Sequence, residues 1–149
     1  ANQRALVPNA DNIQVLGMDS AEQTAARVPS GSAALVMTHS HELDYTLCHA
    51  LLTQNSADFV GLIGSRSKAT RFRSRLRKDK VPEKFLARLT SPIGSSGPTG
   101  KEPGVIALAA LSEVLTLNMK SAEPNLAPSA QSASITYTAN RMHHGSRQP

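Results

Sequence analysis

The sequence has no tryptophan, a single cysteine and only 3% aromatic residues. One cysteine excludes an internal disulfide framework and a cysteine-rich zinc module, and the shortage of aromatic residues means that the core must be aliphatic. No apolar run approaches the ~18 residues of a membrane span, and no basic-then-apolar segment opens the chain as a signal peptide would. These absences predict a soluble, cytoplasmic protein without a membrane partner. A length of 149 residues allows one domain, with an appendage at most.

Charged residues are also scarce, at 18%, and the basic ones are concentrated in one segment. Residues 66–80 contain eight lysines or arginines and one acid, so the rest of the chain is slightly acidic although the whole carries +5. Such a segment attracts phosphate groups. The arginines at 71, 73, 75 and 77 would point all around a helix, and only Phe72 adds an aromatic ring. We therefore predict no nucleic-acid partner.

Strand and helix patterns alternate over the first 120 residues. Apolar runs predict strands at 12–17, 32–37 and 58–64, and the run 32–37 is typical of a strand covered on both faces. Helices are predicted at 20–28, 42–54, 65–80, 82–89 and 105–120. This order predicts an α/β fold with an open parallel sheet and helices on both faces. Such a sheet normally has five or six strands. We therefore expect either that its N-terminal part lies upstream of Ala1 or that a partner chain covers the sheet.

The last segment, 121–149, is rich in Ser, Ala, Pro, Asn and Gln and has few large apolar residues. It buries too little surface to offset the entropy of ordering it. We therefore predict a folded domain over 1–120 and a disordered tail over 121–149. His143 and His144 lack a third ligand in view and are predicted to be ordinary tail residues.

Ligands of an open parallel sheet bind beyond the carboxyl ends of its strands, where three loops of this sequence fall. In the first, His39 and His41 have a spacing that can bind a divalent metal, with Asp44 as a further ligand or orienter. The alternative is that one histidine caps the helix and bonds a neighbouring loop. We predict no metal, and keep a metal-dependent hydrolase using His39 and His41 as an alternative function.

The second loop combines glycines, a helix cap and cations. Gly61 permits close approach of a neighbouring element, Gly64 permits a turn, and Ser65 can cap the next helix. Arg66 and Lys68 then lie in the first helical turn, where free backbone N–H groups favour an anion. A phosphate cradle and a tight turn before a solvated basic helix remain equally open.

The third loop, 91–104, is rich in glycine and is either an anion-binding nest or a flexible connection. Cys48 is predicted to be a small buried residue and not a reactive thiol. No G-x-S-x-G elbow is present, and no residue is predicted to be catalytic.

Two phrases, MTHSHELD at 37–44 and GLIGSRSK at 61–68, are followed by SPIG at 91–94 and VIALAALSEVL at 105–115. In this order and spacing they resemble the C-terminal domain of the xanthine dehydrogenase accessory factor family (XdhC/CoxI) over residues 33–117. The resemblance implies a Rossmann-like domain. It also implies a chaperone, not an enzyme, that binds the molybdenum cofactor (molybdopterin), supports its sulfuration and hands it to a molybdenum hydroxylase. The implied partners are apo-xanthine dehydrogenase and a cysteine desulfurase.

The resemblance also assigns cofactor-binding positions. They are Thr38, His39, His41, Asp44, Gly61, Gly64, Ser65, Arg66, Lys68, Pro92, Ile93 and Gly94. A nucleotide as a second ligand and a homodimer remain open. The competing function from another class is a fragment of a nucleotide-dependent oxidoreductase.

Overall fold

The computed structural model describes residues 11–121 and 135–139. The elements in chain order are β1 Ile13–Gly17, α1 Ala21–Ala26, β2 Ala33–Val36, α2 His41–Thr53, β3 Phe59–Leu62, α3 Arg66–Lys78, α4 Glu83–Leu86, β4 Leu89–Thr90, α5 Pro103–Ser121 and β5 Ile135–Ala139. They fall into two compact units, one built from residues 1–20 and 126–149 and the other from 21–125. The three predicted strands and five predicted helices are all confirmed in type, whereas β4 and β5 were not predicted.

The larger unit contains a parallel three-stranded sheet in the order β2–β3–β4. Val36 of β2 pairs with Leu62 of β3, and Gly61 of β3 pairs with Thr90 of β4. Because neighbouring strands run in the same direction, their carboxyl ends lie side by side along one edge of the sheet. The predicted α/β fold with an open parallel sheet is confirmed.

One face of this sheet carries the core. Val36, Val60, Leu62 and Leu89 alternate along their strands with residues of the opposite face and are at most 4% exposed. The opposite face of β2 is not covered in the same way. Successive side chains of a strand point to opposite faces, and Leu35, next to the buried Val36, is 39% exposed. The prediction that β2 is covered on both faces was wrong. A short apolar run does not by itself distinguish burial on two faces from burial on one.

Helices α2 and α3 supply most of the remaining core. In α2, Leu47 and Leu51 are buried at the predicted helical spacing, and in α3 Phe72 and Leu76 are buried one turn apart. Tyr45 of α2 meets Phe72 edge to face, with ring centroids 5.4 Å apart. The basic helix is thus packed against the domain by one apolar stripe, and all of its charged residues except the buried Lys68 lie at least partly exposed.

The smaller unit is described through β1 and β5, which pair in parallel from Ile13 opposite Ile135 to Gly17 opposite Ala139. β5 lies within the segment predicted to be a disordered tail. Residues 122–134 and 140–149, including His143 and His144, lie outside the described residues, so the predicted division at residue 120 remains a prediction.

Candidate functional site at the carboxyl edge of the sheet

The loops that follow β2, β3 and β4 meet along the carboxyl edge of the three-stranded sheet. Two backbone hydrogen bonds extend the strand pairing into these loops. The N–H of Ile63 donates to the Val36 carbonyl at 3.2 Å, and the N–H of Ile93 donates to the Leu62 carbonyl at 3.0 Å. All twelve predicted cofactor-binding positions lie in these loops, in the adjoining first turns of α2 and α3, or, for Gly61, in β3 itself.

The loop after β2 is folded by its own hydroxyl groups. Thr38 Oγ1 donates to the Ser40 carbonyl at 3.0 Å and accepts from the Ser40 N–H at 3.1 Å. Ser40 in turn caps α2, since its Oγ accepts from the N–H of Leu43 at 3.3 Å. The cap is therefore a serine and not a histidine. His39 and His41 on either side are exposed, so both imidazoles are accessible at the edge.

A buried ion pair joins this loop to the next one. Asp44 is 0% exposed; its Oδ2 accepts from the Lys68 ammonium at 2.5 Å, and its Oδ1 accepts from the N–H of Thr38 at 2.9 Å. The Lys68 ammonium also donates to the Ile63 carbonyl at 3.0 Å. These bonds tie both strand-end loops to the first turns of α2 and α3. We call this arrangement the Asp44–Lys68 clamp.

The clamp explains why glycine occupies position 64. Gly64 has φ +147°, a conformation that L side chains rarely adopt, and a Cβ there would lie 2.6 Å from Lys68 Cδ. The lysine stem therefore passes over the glycine on its way to Asp44. Ser65 caps α3 as predicted, because its Oγ accepts from the N–H of Lys68 at 3.2 Å. Arg66 is exposed at the start of α3.

The loop after β4 is fixed to α5 by a carboxylate. Gly94, with φ +79°, donates its N–H to Glu113 Oε2 at 2.5 Å. Beside it the buried Ile93 side chain lies over Gly61, where a Cβ would clash with Ile93 Cδ1. Pro92 follows Ser91, whose buried hydroxyl has no hydrogen-bond partner in the described part of the chain. The predicted close approach of a neighbouring element at Gly61 is confirmed.

Sequence reasoning missed Glu113 and Ser91. Glu113 is the only acidic residue of α5, whose only other charged residue is Lys120 near its end. An isolated acid on an apolar helix indicates that it has a specific partner. Ser91 precedes the three residues that were predicted and carries no signal of its own. Its burial depends on the packing of the loop.

Cys48 contributes no reactive group to this edge. It is 0% exposed within α2, and burial together with the Asp44 carboxylate raises the pKa of its thiol to about 12. The prediction that it is a buried apolar residue is confirmed. A thiol with so high a pKa is almost entirely protonated, and hence unreactive, near neutral pH.

A metal centre has no basis in the described residues. Within residues 11–121 and 135–139, no three His, Cys, Asp or Glu side chains are grouped so that they could hold a metal ion. Asp44, the predicted companion of His39 and His41, has both carboxylate oxygens engaged in the clamp. The geometry therefore gives the hydrolase alternative no support.

A shallow cleft of about 120 Å³ lies away from the predicted residues. It is lined by Glu22, Tyr45, Thr46, His49, Arg75 and Asp79. Arg75 there stacks over the Tyr45 ring at 3.7 Å, and the Tyr45 hydroxyl donates to Asp79 Oδ2 at 2.6 Å. Burial and that bond to a carboxylate raise the pKa of Tyr45. The cleft is smaller than ordinary ligand sites, and these contacts brace α2 against α3.

No helix in the described ranges combines the length and the hydrophobicity needed to cross a membrane. No curated protein matches the chain. The family model described as the XdhC Rossmann domain matches residues 3–114, which is more than half of the chain. That match includes the three strand-end loops, and it confirms the resemblance that the motifs indicated. On this match and on its parallel α/β sheet, the chain belongs to the XdhC family through its Rossmann domain.

Proposed function

We propose that this protein is an accessory factor for the maturation of molybdenum hydroxylases such as xanthine dehydrogenase. It binds the molybdenum cofactor as cargo at the carboxyl edge and assists its sulfuration and insertion in the cytoplasm. The observation that carries the proposal is that the family's three motif loops lie side by side at one edge of a parallel sheet, where ligands of such sheets bind.

The edge has the chemistry to receive an anionic cargo. Arg66 is exposed at the start of α3, and the first N–H groups of a helix have no intrahelical acceptor. Lys68 has a different task, because its ammonium is held by Asp44 and by the Ile63 carbonyl. In this proposal Arg66 contacts the phosphate of the cargo, and Lys68 positions the loop that presents it.

Uncharged donors and acceptors complete the edge. The exposed imidazoles of His39 and His41 are available to hydrogen-bond a pterin. The Ser91 hydroxyl is buried without a partner among the described residues, and a buried hydroxyl left in that state costs about 1–3 kcal/mol. A bond from Ser91 to the cargo would remove that cost and so add to affinity.

In this proposal the sulfur comes from a partner protein and not from Cys48. The sequence contains one cysteine, and this Cys48 is fully buried with a raised pKa. Its thiol therefore cannot accept the outer sulfur of a desulfurase persulfide while the domain is folded. A cysteine desulfurase supplies the sulfur to the bound cargo, and this chain contributes no catalytic residue.

The test is cofactor binding and delivery by the full chain. Arg66→Ala should weaken affinity for purified molybdenum cofactor about tenfold to a hundredfold, since a charge-assisted contact is worth ~1.5–3 kcal/mol. Lys84→Ala on α4 removes an equal charge away from the edge and should leave affinity unchanged. A nucleotide is titrated in parallel. If the chain binds no molybdenum cofactor and does not raise the activity of xanthine dehydrogenase matured in its presence, the proposal fails.

A further inference from the structure

Folding engages the side chains of half of the basic residues in the segment 66–80. Lys68 is paired with Asp44, and Arg73 donates to the carbonyls of Leu86 and Leu89. The other two pairs lie on the rims of the exposed side of α3: Arg75 with Glu42 at 2.7 Å, and Arg77 with Glu83 at 2.6 Å.

The remaining four cations are Arg66, Arg71, Lys78 and Lys80. All four are exposed, and the charged group of none of them has an ion-pair or hydrogen-bond partner among the residues that the structure describes. The sequence alone suggested charge pointing in every direction around the helix. The structure instead concentrates the unpaired charge on part of its surface.

Two of these cations share one side of α3. Arg71 and Lys78 are seven residues apart, which is two helical turns, and so point the same way. Ser67, four residues before Arg71, and Ser74, between Arg71 and Lys78, lie on the same stripe, and all four side chains are exposed. We call this set, Ser67, Arg71, Ser74 and Lys78, the α3 basic face. No acidic residue occurs in α3, so the face has one sign of charge.

The α3 basic face begins at the carboxyl edge. Helix α3 starts at Arg66, directly after the loop that follows β3, and extends for 13 residues, or about 20 Å. A protein lying along the helix would thus border the edge at which the cargo is proposed to sit. Delivery requires this closeness, because the cargo has to pass between two proteins without being released into solvent.

We propose that the α3 basic face docks an acidic surface next to the cofactor entrance of the recipient hydroxylase. The inference rests on the proposed function and adds where the recipient binds. Arg71 and Lys78 pair with carboxylates of the partner, while the two small serines of the face allow the partner's surface to approach. Such complementary charge raises the association rate and makes binding sensitive to salt.

A nucleic acid fits this face less well than a protein does. Proteins that bind single strands interleave their cations with exposed aromatic rings on which bases stack. The one aromatic of α3, Phe72, is on the buried side at 8% exposure. The face offers charge and hydroxyl groups but no stacking platform.

The experiment measures binding of the full chain to purified cofactor-free xanthine dehydrogenase at low and high salt. The double variant Arg71→Glu/Lys78→Glu should weaken affinity at least tenfold at low salt and reduce the dependence on salt. The control variant Lys84→Glu/Lys101→Glu changes the net charge by the same amount at positions outside the face. Its affinity should stay within twofold of that of the wild type. Thermal unfolding of each variant shows that the fold is retained.

The outcomes separate the two proposals. Equal binding by the wild type and Arg71→Glu/Lys78→Glu overturns the docking face while leaving the proposed function intact. Equal weakening by both double variants means diffuse attraction and also overturns it. If the wild type binds cofactor but not the dehydrogenase, the docking inference fails alone; if it binds neither, both fail. Tighter binding to single-stranded DNA, lost in Arg71→Glu/Lys78→Glu, would assign the face to nucleic acid instead.

Discussion

Lys68 and Asp44, 24 positions apart in the sequence, form a buried ion pair with 2.5 Å between Nζ and Oδ2. Each has a further backbone bond, from Lys68 to the Ile63 carbonyl and from the Thr38 N–H to Asp44. The pair therefore fixes two loops at once. A buried pair of this kind is costly to break from one side, because the remaining charge is left uncompensated.

Lys68→Met should consequently destabilise the protein by about 3–5 kcal/mol. The substitution keeps the aliphatic stem and leaves the Asp44 carboxylate buried without its cation. Lys68→Met/Asp44→Asn removes both charges. The amide oxygen of the new asparagine can still accept from the Thr38 N–H, so most of the lost stability should be recovered. Urea unfolding of the two variants measures the difference. A single variant as stable as the wild type would show that the pair is not formed in solution.

Gly64→Ala should destabilise the protein by about 1–3 kcal/mol, since it adds backbone strain and places a Cβ against the Lys68 stem. Gly104→Ala is the matched control. Gly104 lies in the first turn of α5 with no atom within 4 Å of a Cβ, so alanine there should be neutral or add up to about 1 kcal/mol. Thermal unfolding compares the two. Equal effects would contradict the proposed close passage of Lys68 over Gly64.

Ser91→Ala should not lower stability, because the buried hydroxyl has no bond to lose. Thr38→Val is the contrasting change: it removes a hydroxyl that donates to and accepts from Ser40, and should cost about 1–2 kcal/mol. Affinity for the molybdenum cofactor should fall in Ser91→Ala if the hydroxyl contacts the cargo. Unchanged affinity would remove Ser91 from the site.

Cys48 should resist alkylation in the folded protein. With a thiol pKa of about 12, the thiolate at pH 8 is on the order of one molecule in ten thousand, and the sulfur is also shielded from solvent. Labelling with iodoacetamide, followed by mass spectrometry, should be negligible without urea and stoichiometric in it. Rapid labelling under native conditions would show that α2 opens readily.

The exposed pair of Glu42 and Arg75 gives a pH prediction. The hydrogen bond from Arg75 lowers the pKa of Glu42, so the pair stabilises the folded state above the ordinary glutamate pKa, and this contribution is lost as the pH falls through the lowered value. Arg75→Ala should return the Glu42 titration, followed by carboxyl NMR, towards its ordinary range. Glu83, whose pKa is lowered by Arg77, should titrate as before and serves as the internal reference.

Much of the fold could be predicted because periodicity is local. The apolar run at 58–64 and the stripe of Leu47 and Leu51 specify a strand and a helix without knowledge of their neighbours. β4 could not be found in this way, because two residues, Leu89 and Thr90, are too few to show a period. Nor could the exposed side of β2, since burial depends on what packs against a strand.

The sequence by itself determined the order of eight of the ten elements, the family through its motifs, the Ser65 cap and the concentration of positive charge in one helix. Tertiary structure decided which of those charges are free. Asp44, Glu42 and Glu83 come from other elements, and only folding brings them within bonding distance of Lys68, Arg75 and Arg77. An ion pair forms over a few ångströms of space, whatever the separation along the chain. The same cause made Lys68 a clamp residue and left Arg66 exposed at the carboxyl edge.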